Sequence, residues 1–205
     1  MRLKQLEMQL AGLETFDEPS PSREQYPTPP DLAARLLYHA FMRGDIEGKS
    51  VCDLGSGTGV LAIGAALLGA SPVTGVEVDP RAIRIASRNA VRRRVSVRFI
   101  EGDLDDPALP SKVGPHDTVV MNPPFGAQNP HADRIFLDKA LEIAPVFYSV
   151  LNRGSRDFLT RYIQDRAHIV ETVQAVLSLK RTFSFHRKDK VDIPVEIVIV
   201  RRTSF

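Results

Sequence analysis

The stretch Ser50-Val51-Cys52-Asp53-Leu54-Gly55-Ser56-Gly57-Thr58-Gly59 opens on an apolar run and closes on three alternate glycines. The run reads as a buried strand, and the residues after it, Gly59 to Leu68, read as a helix. Glycines let a strand-to-helix turn bring its backbone against a ligand, and the N–H groups of the following helix start are free to bind one. Working outward, the same alternation repeats. Strand-like SPVTGVEVD precedes a helix from Pro80 to Arg92, VSVRFIEGD and HDTVVMN follow, then a helix around Asp133 to Ala144, PVFYSVL, and a helix from Ser155 to Asp165. Short β-branched runs alternating with helices predict a parallel sheet covered on both faces, a doubly wound α/β fold. The last two strand-like runs, near Val170 to Phe185 and Val191 to Arg201, have only the charged connection His186 to Lys190 between them. They predict a hairpin that ends a seven-stranded sheet antiparallel.

Upstream, Leu3, Leu6, Leu10 and Leu13 recur at helical spacing within residues 1–15 and predict an amphipathic N-terminal helix. Pro19, Pro21, Pro27, Pro29 and Pro30 forbid a continuous helix from Asp17 to Pro30, so an extended connector leads to a helix starting near Asp31, its expected N-cap. With 205 residues, 43% hydrophobic and 25% charged, residues 1–205 are expected to form one domain around one core. No apolar run approaches the roughly 20 residues that span a bilayer, and MRLKQLEMQL is too charged for a signal-peptide core, which points to the cytoplasm. Cys52 is the one cysteine, so an intrachain disulfide is excluded, and a small buried hydrophobe is its simplest role. A net charge of +2 argues only weakly for a polyanionic partner. Two local clusters, Arg92-Arg93-Arg94 and Arg181, His186, Arg187, Lys188 and Lys190, are either solvated ends of elements or nucleic-acid contacts, according to where the site falls.

Glu77 ends the second strand-like run about 20 residues after the glycine turn, where a carboxylate can accept hydrogen bonds from ribose hydroxyls. Asp103 ends the third. If the strand ends converge on one edge of the sheet, Asp53, Glu77 and Asp103 line a single nucleoside-sized crevice. A nicotinamide dinucleotide would also use a glycine turn and a ribose carboxylate. Here, however, the spacing is G-x-G-x-G, and Asp53 stands two residues before the first glycine, where an anionic pyrophosphate is unwelcome and a cationic sulfonium with its amino group is welcome. The residues therefore favour S-adenosylmethionine over a dinucleotide, with a purely structural glycine turn behind both.

Asn122-Pro123-Pro124-Phe125 stands at the end of the fourth strand-like run. In isolation it reads equally as a turn. At a strand's carboxyl end beside the crevice it has a chemical logic. An exocyclic NH2 on adenine, or the amide NH2 of glutamine, is a poor nucleophile because its lone pair is delocalised. The Asn122 oxygen and the Pro123 carbonyl can each accept one N–H bond and aim that lone pair at a methyl carbon, while Pro123 and Pro124 hold the acceptors stiffly. Phe125 offers a face for stacking a planar ring. No titrating base is needed, because the nitrogen sheds its proton readily once methylated.

On these residues the chain resembles the class I, Rossmann-like methyltransferases, and within them the methyltransferase-like five family of archaeal and eukaryotic small-subunit rRNA adenine N6-methyltransferases. The resemblance rests on Glu24-Gln25-Tyr26-Pro27-Thr28, on Asp53 to Leu61, on Met121-Asn122-Pro123-Pro124-Phe125-Gly126, and on Phe185-His186-Arg187-Lys188 with Val191-Asp192-Ile193. It implies a seven-stranded, mostly parallel sheet with an antiparallel last strand, and an N-terminal helix and connector, residues 1–30, folded over the cofactor cleft. It further implies that Gln25 and Thr28 reach over the methionine end of S-adenosylmethionine, and that Asp53 and the turn of Gly55, Gly57, Gly59 and Val60 hold the cofactor. Glu77 would take the ribose, and Asp103 with Leu104 the adenine. Asn122, itself beside the cofactor, would form the catalytic motif with Pro123, Pro124 and Phe125. Ser56 and Thr58 stand where family members often carry cysteines. By the same resemblance Arg187, Lys188 and Lys190 would contact RNA beside the target pocket. A small zinc-binding activator protein would pair along the open sheet edge, for which Val73 to Val78 or Val95 to Ile100 are the candidate strands.

The histidines His39, His116, His131, His168 and His186 lack ligand-like spacing, so no metal site is expected. Phe41, Phe147, Tyr148, Phe158 and Tyr162 fit core packing, whereas Tyr26 either packs the connector down or closes the cofactor pocket. Rival readings keep the chemistry and change the substrate, to protein glutamine or DNA adenine, or keep the fold as a binding scaffold without turnover.

Overall fold

The computed structural model describes residues 1–16, 26–125, 132–180 and 190–203, with the side chains of residues 179, 180 and 190 left aside. Two helices, α1 (Leu3–Ala11) and α2 (Pro30–Met42), precede the first strand. Then β1 (Val51–Leu54), α3 (Val60–Leu67), β2 (Val73–Glu77), α4 (Pro80–Arg93), β3 (Arg98–Glu101), α5 (Leu109–Val113) and β4 (Thr118–Met121) alternate. They are followed by α6 (Ala132–Ile143), β5 (Val146–Asn152), α7 (Arg156–Ile163) and the pair β6 (Ala167–Lys180) and β7 (Lys190–Arg202).

The strands form one sheet in the order β3-β2-β1-β4-β5-β7-β6. The first five are parallel, and β7 runs antiparallel to both β5 and β6. The chain builds from β1 outward to β3, then returns to the other side of β1 with β4. The strand order therefore reverses between β1 and β4, and the loops leaving those two strands part there to open a crevice. The predicted hairpin exists, but its second strand, β7, is the one inserted against β5, which leaves β6 at the edge.

Both faces of the sheet are covered, which is why β5 is buried from Val146 to Leu151 and apolar at each of those positions except Ser149. Val146, Tyr148 and Val150 point into a core with Leu6, Leu10, Leu36 and Leu37, whereas Phe147 and Leu151 point into the opposite core with Leu137, Leu141 and Leu159. The buried Cys52 belongs to the second core, and burial raises its thiol above the ordinary range. Phe147 and Tyr148 are fully buried, and Phe41, Phe158 and Tyr162 pack partly buried against the cores.

Several boundaries differ from the sequence reading. Helix α2 starts at Pro30, not Asp31; Pro29 is the cap and its carbonyl accepts from the Ala33 amide. Proline suits the first helical position because its missing N–H would be unpaired there anyway, and Asp31 then adds an acidic group to the first turn. Helix α1 stops at Ala11, yet Leu13 beyond it is still buried, while Leu3 lies exposed. Helix α7 ends at Ile163, because Gln164 turns extended and Asp165 takes a positive φ of 67°. Strand β2 pairs on both sides, so residues 73–78 are not an edge; β3 is.

Asp45, in the connection from α2 to β1, ties that connection to β4, β5 and β7. Its carboxylate accepts from the Tyr148 hydroxyl at 2.6 Å and from Arg201 at 2.9 and 3.0 Å, and its carbonyl accepts from Thr118 at 2.7 Å. Burial and the neighbouring Asp45 push the Tyr148 hydroxyl well above its usual range. Asp45→Ala would strand that hydroxyl inside the core, although Arg201 keeps access to water. The expected loss is about 2 kcal/mol, read as a lower urea midpoint at unchanged slope. A change below about 0.5 kcal/mol would show that the hydroxyl finds another partner.

Candidate active site

The crevice at the β1/β4 switch has a volume of about 630 Å³. Its floor is the glycine turn. Gly55, Gly57 and Gly59 have φ of 69°, 52° and 86°, values that side-chain-bearing residues rarely adopt. The turn is pinned from below: the Ser56 amide donates to the Val76 carbonyl, and the Gly57 amide donates to Glu77 Oε2 at 2.8 Å. Glu77 Oε1 accepts the Val78 and Asp79 amides, both at 3.0 Å, so this carboxylate is fixed by three backbone donors before any ligand arrives.

Asp53 lies at the centre, 1% exposed. Its Oδ2 accepts the Ala62 amide in the first turn of α3 at 2.9 Å, whereas Oδ1 is buried without a partner. Burial pushes its carboxyl up to about 7; the Ala62 amide opposes the shift and the Glu77 charge adds to it. Across the crevice, the Asn122 side-chain amide donates to the Thr28 hydroxyl at 3.0 Å. Its Oδ1 is likewise buried and unpartnered. An unmet buried acceptor costs about 1–3 kcal/mol, so the Asp53 and Asn122 oxygens, together with the likewise unpartnered hydroxyls of Ser56 and Thr58 in the same lining, point to a ligand that donates hydrogen bonds.

The structure brings Thr28, Asp53, Gly55, Gly57, Val60, Glu77, Asp103, Leu104, Asn122 and Pro124 to this crevice. Asp103 is exposed at the far end, where its Oδ1 accepts the Asp105 amide. Three expected residues stand outside the lining. Gly59 caps α3, and a Cβ there would stand 3.1 Å from both Ala86 and Phe99, so its smallness serves helix packing. Pro123, between the lining residues Asn122 and Pro124, is buried. Phe125 is half-buried against the α1–α3 core, and its carbonyl accepts from Asn152 at 3.4 Å. Gln25, Arg187 and Lys188 lie outside the described residues, as does the side chain of Lys190, which begins β7.

Tyr26 takes both roles the sequence offered it: it packs against the core and, with Pro27, lines the wall. Further lining residues carry no such signal in the sequence. Phe136 stands over Gly55, where a Cβ would come within 2.8 Å of its ring, and Ile135 lies beside it. Both read as core residues of an amphipathic helix, and only the position of α6 after the Asn122 loop could have flagged them. Phe16 joins the lining from the N-terminal segment, whereas no residue of α1 itself does. Helix α1 packs on α2 and α3.

The charge of the crevice is one-sided. Asp53, Glu77, Asp103 and Asp105 line it, and among the described residues no lysine, arginine or histidine does. A pyrophosphate would find no cation there, while a sulfonium or ammonium group would find carboxylates. Also among the described residues, no three His, Cys, Asp or Glu side chains gather as a metal site, and no helix is long and apolar enough to cross a membrane.

A doubly wound sheet with an anionic nucleoside crevice at its switch point, and an Asn-Pro-Pro turn at the mouth, defines a Rossmann-like N-methyltransferase. Comparison with known proteins agrees. Residues 28–145 match the family described as Methyltransferase small domain, and the chain belongs to that family. It is 35% identical over 203 residues to the rRNA N(6)-adenosine-methyltransferase METTL5 of Danio rerio, covering 97% of this chain and 98% of that protein. It is 38% identical to an uncharacterized protein of Methanocaldococcus jannaschii across 100% of this chain and 96% of the relative. The crystal structure of a Pyrococcus horikoshii protein, proposed to be an RNA methyltransferase, superposes with a TM-score of 0.90 at 38% identity, covering 100% of this chain and 99% of that one.

S-adenosylmethionine is the methyl donor of this class, and the residues present fit it. The unpartnered Asp53 oxygen suits its amino group, the carboxylates suit its cationic sulfur, and the pinned glycine turn leaves room for its ribose.

Proposed function

We propose that this enzyme methylates adenine N6 in small-subunit ribosomal RNA. The observation that carries the reading is the state of Asn122, whose amide nitrogen is committed to Thr28 and whose oxygen is left as a buried acceptor. Only in that orientation can the side chain take a proton-bearing nitrogen of the substrate. The Pro123 carbonyl supplies the second acceptor, and the stiff Pro123-Pro124 pair keeps both in line.

The bound cofactor supplies an electrophilic methyl carbon on a positively charged sulfur. The protein's own work is to hold and aim. Asp53, Gly55, Gly57 and Val60 would fix the donor, Glu77 would accept from its ribose, and Asp103 and Leu104 would take its adenine. Thr28 orients Asn122, and by the resemblance Gln25 would join Thr28 over the methionine end. Asn122 and Pro123 would draw the substrate nitrogen toward tetrahedral geometry as it accepts the methyl group in place of the sulfur, and the nitrogen's proton would then pass to water. Phe125 stacks on the target base, and Gly59 sets the start of α3.

The named relatives favour rRNA over glutamine or DNA, and an intact Asn122 motif disfavours a scaffold. Arg187, Lys188 and Lys190 would meet phosphates at the hairpin. A small zinc-binding activator would add a strand to the β3 edge. Residues 1–205 would work as one domain, in the cytoplasm with the ribosomes they modify.

Methyl-labelled S-adenosylmethionine, offered in parallel with small-subunit rRNA, DNA and a protein extract, tests this. Label should appear as N6-methyladenosine in rRNA. Label in glutamine or in DNA would overturn the substrate while keeping the chemistry.

A further inference from the structure

After α1 the chain crosses to α4, and Glu14 is held there through both backbone and side chain. Its amide donates to Asn89 Oδ1 at 2.8 Å, its carbonyl accepts from Asn89 Nδ2 at 3.0 Å, and its carboxylate pairs with Arg88 and Arg92. Asn89 is 0% exposed, and the same Nδ2 also donates to the Thr58 carbonyl inside the glycine turn at 3.0 Å. One buried amide thus binds the N-terminal arm and the floor of the crevice together. The arginine cluster at the end of α4 takes part in this arm contact: Arg92 pairs with Glu14, and the Arg93 guanidinium lies against Gly12.

Two residues beyond Glu14, the ring of Phe16 lines the crevice above Gly57, where a Cβ would stand 3.2 Å from its Cζ. Gly57 is the residue whose amide is bonded to Glu77, so the ring overhangs the ribose end of the site. We infer that Phe16 is a cofactor-contacting residue, and that Asn89 is a positioning residue that locks the arm and the glycine turn in register so that Phe16 forms a fixed wall of the donor site. This rests on the crevice being the S-adenosylmethionine site.

Calorimetric titration with S-adenosylhomocysteine, which needs no turnover, reads the effect. Phe16→Ala should weaken binding about tenfold, the loss expected for one aromatic contact, and Phe16→Tyr should restore it to within about twofold. In steady-state assays the KM for the donor should rise by the same factor as Phe16→Ala weakens binding, with kcat at saturating donor nearly unchanged. Asn89→Ala should reproduce the loss, and the Phe16→Ala/Asn89→Ala double variant should be no weaker than Asn89→Ala alone, because both act through one wall. If Asn89→Ala does not fold, Glu14→Ala loosens the arm from the surface and takes its place in the cycle. Wild-type binding with Phe16→Ala unaffected, or additive losses in the double variant, would overturn this inference alone. A wild-type chain that fails to bind S-adenosylhomocysteine would overturn the crevice assignment and this inference with it.

Discussion

Replacing Asn122 with alanine is expected to lower kcat about a thousandfold or more, while the affinity for S-adenosylhomocysteine changes by less than about tenfold. An amino nitrogen conjugated to a purine has no lone pair free to attack until its two N–H bonds are held out of the ring plane. That requires acceptors at fixed places, and here one of the two is a side-chain oxygen kept unpaired by the Thr28 contact. Its interaction strengthens as the nitrogen turns tetrahedral and gains positive charge, so its loss is felt in the transition state more than in the bound ground state. Thr28→Val should give a smaller loss of the same kind, because the Asn122 amide can then rotate and offer its nitrogen where an oxygen is needed. Single-turnover rates with both substrates saturating separate this from weakened binding. An Asn122→Ala enzyme keeping more than about a tenth of the wild-type rate would mean that the Pro123 carbonyl suffices and that Asn122 is structural.

The parts legible in the sequence are those fixed by local pattern. The alternation of apolar runs and helices from Ser50 to Asp165 sets the parallel core, because a strand buried on both faces is mainly apolar, as Val146 to Leu151 is at every position but Ser149. The glycine turn, Asp53, Glu77 and Asn122 were legible because strand ends in such a sheet share one edge. Placements that depend on distant packing were not. Residues 73–78 look as exposed to pairing as residues 95–100, and only the strand order makes β3 the edge. Gly59 carries the same spacing signal as Gly55 and Gly57, yet it faces Ala86 and Phe99 on other elements. Phe16, Ile135 and Phe136 have no motif at all; each is an apolar residue whose role is set by what lies across the crevice. The basic run Arg92-Arg93-Arg94 showed charge but not direction, and the structure turns Arg92 and Arg93 toward the arm.

Asp53→Asn is expected to weaken S-adenosylmethionine binding about a hundredfold at pH 8 and to abolish its pH dependence, in line with the loss of one charge-assisted hydrogen bond in a dry site and one compensating charge. The wild-type dependence follows from the raised carboxyl. In the free protein burial holds Asp53 up to about 7, so near pH 6 most molecules carry it protonated and near pH 8 most carry the carboxylate. A cationic ligand prefers the carboxylate. Affinity should therefore rise between about pH 6 and pH 8, by as much as tenfold per pH unit below the carboxyl's own midpoint, and binding near pH 7 should release a proton to buffer. Stability of the free protein moves the other way. A carboxyl raised on folding contributes stability that is fully present below the ordinary carboxylate range and lost as pH climbs through 7. Asp53→Asn, uncharged throughout, should remove that loss and make the free protein more stable than wild type at pH 8. The two trends have opposite signs and one cause, so titrations in buffers of different ionisation heat, paired with urea melts of the free protein, test them together. Affinity that stays flat from pH 6 to pH 8, with no proton released, would mean that the carboxylate is already ionised in the free crevice and that some group other than the burial of Asp53 sets the charge preference of the site.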